Sequence, residues 1–208
     1  MRRICLIEVF NVIVGDDQVV KQTIALIVAL FLPWGAQATQ CNSISQFELV
    51  NCAGENVQVS TELLNATYNE VKSKIPSDEV EPLKEAQRTW AKFRSESCKK
   101  AALGEAGGRE AVLVSMACKE KESRLRAEEL KYLIGETKAY GFYAYLRISL
   151  YRLNINFDQS IDKLVAEVHN SNDLNWQESV EKICQIGYRL TGRDVRTCYA
   201  RQAFYGYG

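Results

Sequence analysis

The chain has 208 residues, 47% of them hydrophobic, and carries 26 basic and 26 acidic side chains. That length holds one sizeable domain or two small ones, and that apolar content argues against a disordered chain. A net charge of zero gives no long-range pull toward nucleic acid or an anionic membrane, so any partner must be recognised locally.

At the N-terminus, Lys21 precedes TIALIVALFLPW, an apolar run too short to span a bilayer, and Ala36-Gln37-Ala38 follows. Small side chains at the first and third positions before a cut are what signal peptidase requires, so residues 1–38 are expected to be a secretory signal peptide cleaved after Ala38. The alternative is an uncleaved anchor. Residues 1–19 fit a signal peptide poorly, because Asp16 and Asp17 stand where positive charge belongs. A start at Val20, read from an alternative start codon, removes the conflict and makes 1–19 a mis-assigned start. Gln40 before Cys41 is too bulky and polar for a lipobox, so the expectation is a soluble periplasmic or secreted protein with no membrane contact after cleavage.

Cleavage removes Cys5 and leaves Cys41, Cys52, Cys98, Cys118, Cys184 and Cys198, an even number in an exported chain. There is no CxxC pair, and the gaps do not resemble a zinc or redox motif. Disulfides are therefore expected, with no metal and no cofactor. Pairing of neighbours (41 with 52, 98 with 118, 184 with 198) is the expected arrangement among the 15 that six cysteines allow.

From Val57 the positions Val57, Leu64, Tyr68, Val71 and Ile75 keep helical spacing until Pro76 ends the run. Ser77 is expected to cap a second helix, with Asp78 and Glu79 in its first turn and Pro82 early enough to be tolerated. This helix runs to about Leu103 and contains LKEAQRTWAKFRSESC at 83–98, where Leu83, Ala86, Trp90 and Phe93 form an apolar stripe. After Gly104, Gly107 and Gly108, a third helix is expected from Arg109 to about Gly135. Its Glu120 to Arg124 and Glu122 to Arg126 spacings read as a solvated charged face. Short connections between three long helices predict an antiparallel bundle.

Residues 139–153 (AYGFYAYLRISLYRL) fit helix and strand equally. Beyond them, helical patterns at about Gln159–His169, Trp176–Tyr188 and Asp194–Phe204 predict a smaller C-terminal helical unit. Trp176 precedes Cys184 by the offset that separates Trp90 from Cys98, a weak echo of an internal repeat. The domain reading is thus 1–38 signal peptide, 39–138 helical domain and 139–208 C-terminal helical segment.

Catalytic signatures are missing. The single histidine, His169, ends a predicted helix, where imidazolium is favoured and capping is its role. Phosphate loops, GxSxG and HExxH are absent, so the chain is not expected to be an enzyme and no catalytic residue is assigned.

The early pair Cys41 and Cys52, LLNATYNEV at 63–71, the 83–98 block and Cys118 with Arg124 six residues on together resemble the LprI-type lysozyme-inhibitor family of small exported bacterial proteins. The resemblance covers roughly 41–133 and none of 139–208. It implies an all-α, disulfide-stabilised fold and a periplasmic binding or inhibitor protein, with lysozyme or another cell-wall hydrolase as partner. In the block, Leu83, Trp90 and Phe93 are expected to form the core between the three helices, at about 2 to 3 kcal/mol for each aromatic. Arg94 and Arg124 are expected either to pair with carboxylates or cap backbone carbonyls at the bundle edge or, with Gln87, to line a binding groove. The alternative function is a non-inhibitory envelope protein acting through its Tyr-rich C-terminal segment, YARQAFYGYG included.

Overall fold

The structure, a computed structural model, describes residues 41, 45–104, 108–136, 139–153 and 155–206. The expected signal peptide over 1–38, the start at Val20, Gln40 and Gly107 lie outside the described residues. Seven helices make up the described chain: α1 Gln46–Lys74, α2 Ser77–Leu103, α3 Arg109–Leu133, α4 Tyr140–Leu153, α5 Phe157–His169, α6 Leu174–Thr191 and α7 Val195–Gly206. Cys41–Cys52, Cys98–Cys118 and Cys184–Cys198 are disulfides. The fold is all-α and disulfide-stabilised, and no described helix is long and apolar enough to cross a membrane.

Several helix ends are set by chemistry that apolar spacing does not register. α1 begins well before Val57, carrying Cys52 in an early turn where its disulfide to Cys41 ties down the entering chain. At the start of α2, Pro76 takes the cap position in place of the expected Ser77, which is the first helical residue and makes no side-chain cap. Proline's fixed φ suits a helix entrance, and its carbonyl accepts from the Glu79 amide at 3.0 Å. The undecided 139–153 segment is helix, because Phe142, Leu146 and Ser149 bury together at helical spacing. α5 starts at Phe157 through a capping box between Asn156 and Gln159. α6 starts at Leu174, where the Asp173 carboxylate accepts from the Trp176 amide at 3.1 Å. It ends on Gly192, whose left-handed backbone (φ +67°) closes the last turn.

The helices pack in succession. α1 lies along α3, α3 along α2, α2 along α6, and α7 against α5 and α6, with α4 on α5. α2 runs antiparallel to α3, with Gln87 facing Arg126 near one end and Cys98 bonded to Cys118 near the other. It also runs antiparallel to α6, since Glu79 holds Arg189 while Glu96 accepts from Asn175. The described residues form one compact unit.

This arrangement relocates one expected core. Leu83, Trp90 and Phe93 are buried, but Trp90 and Phe93 do not fill a gap between α1, α2 and α3. They face the C-terminal helices, and the Phe93 ring lies 6.4 Å from that of Trp176 on α6. Covering α2 on that side removes several large apolar side chains from water, at about 2 kcal/mol each.

Candidate functional site

The charged residues of the 83–98 block converge on the Trp90 indole. Arg94 (α2) and Arg126 (α3) place their guanidinium carbons 5.2 Å and 5.7 Å from the ring centroid, within cation–π range. Arg94 donates to the Ser123 hydroxyl at 2.7 Å, and Arg126 Nε donates to Gln87 Oε1 at 2.9 Å. Gln87 and Arg94 are thus brought together, each bonded across to α3. Arg124 is not part of this group. It stands two residues, about 200°, round α3 from Arg126 and pairs along its own helix with Glu120 at 3.1 Å.

Arg126, which the sequence marks only as half of a charged i,i+4 pair, is 3% exposed, and Glu122 is 8% exposed. The expected solvated Glu122–Arg126 face is therefore wrong: only Glu120 and Arg124 pair at i,i+4, while Glu122 and Arg126 are covered by the C-terminal helices. Burial pushes the Glu122 carboxyl above its ordinary value, against the opposing pull of Lys121 and Arg94. Burial likewise lowers the Arg126 guanidinium to about 10, opposed by Glu129. Its Nη2 has no partner among the described residues.

One turn further along α3, Glu129 accepts from both Arg201 and Gln202 of α7, and Arg201 is 3% exposed. The Arg201 guanidinium stacks 3.7 Å from the Tyr132 ring, and Arg193 lies 4.2 Å from the same ring. Arg193 also donates to the Tyr132 carbonyl at 2.9 Å. At the far end of the seam Glu79, 7% exposed, holds Arg189 in a two-point contact. Between these clusters, Trp90, Glu122, Arg126, Glu129, Trp176 and Tyr205 border a cavity of about 30 Å³, room for little more than a water molecule.

Such a seam fastens helices. Glu79 and Glu129 are bound by arginines, Glu122 is buried at the cavity wall, and the hollow has room for little more than water. Among the described residues no three His, Cys, Asp or Glu side chains are placed to hold a metal. His169 packs edge-on against Tyr199, 5.6 Å between centroids. In the Tyr-rich tail, Phe204 contacts Phe142, Tyr145 and Tyr205, and the Tyr205 hydroxyl accepts from the Phe142 amide at 3.2 Å. These rings serve packing between α4 and α7.

Residues 36–130 match the family model described as Lysozyme inhibitor LprI. Over these residues the chain is similar to the LprI family. The match spans α1, α2 and most of α3, with the Cys41–Cys52 and Cys98–Cys118 disulfides. Helices α4–α7 and Cys184–Cys198 lie outside it. No curated protein and no solved structure matches the chain. In the LprI segment, the 83–98 block presents Trp90 and Phe93 to the C-terminal helices, and those helices return Trp176, Arg189 and Arg201 to α2 and α3.

Proposed function

We propose that the chain is an exported protein that binds and inhibits lysozyme or a related peptidoglycan hydrolase, and is not itself an enzyme. The match of residues 36–130 to the LprI lysozyme-inhibitor family carries this reading. Three disulfides support export, because such bonds persist in oxidising compartments and confer rigidity on a modest helical body. In this reading residues 1–38 are a signal peptide cut after Ala38, residues 39–138 are the LprI domain, and 139–208 brace it from the α2 side. Gln87 and Arg94 shape the α2–α3 surface around Trp90, and Arg124 contributes to the neighbouring face of α3.

Lysozyme is strongly basic with an acidic cleft, so an inhibitor meets it either with acidic side chains on the basic surface or with a cation in the cleft. The direct test is hydrolysis of a cell-wall substrate by lysozyme with the mature protein at micromolar concentration. Inhibition supports the reading, and unchanged hydrolysis removes it. Export is tested separately by sequencing the N-terminus of the protein recovered from the periplasm or medium, which is expected to begin at Thr39.

A further inference from the structure

Resting on the reading of the chain as a lysozyme-binding protein, we infer that the outer face of α1 is the surface that meets the basic partner. Between Gln46 and Val71 this helix carries Glu48, Glu55, Glu62 and Glu70 and neither Lys nor Arg, in a chain whose 26 acidic and 26 basic side chains balance overall. The first three acids recur at seven-residue spacing, and an amide follows each by three positions: Glu48 with Asn51, Glu55 with Gln58, Glu62 with Asn65. Positions seven apart drift only about 20° round a helix. The acid–amide pairs therefore form a ladder along one side of α1, with rungs about 10 Å apart.

All six of these side chains are exposed, whereas Ser60, Leu64 and Val71 bury on the other side of the helix. Gln58 donates to Glu62 at 2.9 Å, which fixes the middle of the ladder. Glu55 and Glu62 have no ion-pair partner among the described residues, while Glu70, off the ladder, is closed by Lys74. Both ends of the helix are held, by the Cys41–Cys52 disulfide and by Lys74 bonded to Glu136. A face already rigid in the free protein loses little conformational entropy on binding. Beside the first rung, Phe47 is 74% exposed and supplies an apolar anchor of the kind that dominates binding energy.

Charge selects the occupant. An acidic ladder is repelled by anionic lipid, by anionic wall polymers and by a second copy of itself, and it is complementary to a strongly cationic protein. The amides add hydrogen bonds that a partner's backbone or arginines satisfy, giving register as well as attraction. This places the contact on the side of the LprI segment remote in sequence from α4–α7 and independent of the buried seam.

The test compares three forms of the full mature chain binding lysozyme by titration calorimetry: the parent, Glu55→Lys/Glu62→Lys, and Glu110→Lys/Glu181→Lys. The last pair is exposed on α3 and α6 and makes the same change in net charge. The expected result is at least tenfold weaker binding for the α1 variant, less than twofold change for the control, and parent affinity that falls steeply with added salt. Phe47→Ala is expected to weaken binding several-fold. If the lysine variant melts early by circular dichroism, Glu55→Gln/Glu62→Gln is read instead, with at least threefold weakening expected. Equal affinity of parent and α1 variant overturns the α1 face and leaves the inhibitor function standing. Absence of lysozyme binding by the parent overturns both.

Discussion

Replacing Arg201 by Met tests whether the buried seam holds α7 to α3. Arg201 is 3% exposed and Glu129 7% exposed, and the Glu129 carboxylate also accepts from Gln202. Methionine keeps an apolar side chain of similar length but loses the guanidinium stacked on Tyr132 and leaves a buried carboxylate without the arginine that binds it. Removing one partner of such a pair costs about 3 to 5 kcal/mol, because the remaining charge stays desolvated. For a chain of this size, about 2 to 4 °C accompanies each kcal/mol, so a Tm drop of about 10 °C is expected. Urea unfolding of the disulfide-intact protein gives the same quantity as a lower midpoint at unchanged slope. Adding Glu129→Gln removes the stranded charge while keeping an acceptor for Gln202, so the double variant is expected to recover most of the loss. A single variant within about 1 kcal/mol of the parent, or a double variant as unstable as the single, would refute the argument that this pair is buried and interdependent.

Two further perturbations probe the same body. Burial raises the Glu122 carboxyl above its usual value in the folded protein, so the stability linked to this group is complete below the unfolded pKa and declines as pH rises through the raised folded value. Glu122→Gln is therefore expected to raise Tm at about pH 7 and to make no difference at about pH 4, and scanning calorimetry at the two pH values checks the sign. Replacing Cys98 and Cys118 by Ala opens a 20-residue loop and is expected to lower stability by about 3 kcal/mol, measured by urea unfolding. Non-reducing peptide mapping of the parent is expected to recover the three neighbouring pairs.

The helices that carry a periodic apolar stripe are legible from sequence. Leu83, Ala86, Trp90 and Phe93 define α2 to within its end at Leu103, because a stripe at helical spacing and a glycine break after it are local signals. The starts of α1, α5 and α6 are less so, since they depend on the Cys41–Cys52 bond, the Asn156–Gln159 box and the Asp173 cap instead of apolar period. Burial of charge was illegible for a physical reason. Glu122 and Arg126 sit at ordinary i,i+4 spacing, and only the packing of α6 and α7, from chain positions far downstream, takes them out of water. Glu79 meets Arg189 across 110 residues and Glu129 meets Arg201 across 72, separations at which no local pattern survives. The same coverage explains why an apolar stripe marks Trp90 and Phe93 for burial while leaving their neighbours, among them Trp176, unspecified. Gln87 and Arg94 stand at Trp90 through their place in the block, whereas Arg126 bears no local mark of its role.

The function is tested most directly by titrating the purified mature chain into a lysozyme assay on a cell-wall substrate. Hydrolysis is expected to fall to a plateau at about one inhibitor per enzyme, as for a rigid protein occupying one face of its target. Full hydrolytic rate at micromolar protein with all three disulfides intact would contradict the account.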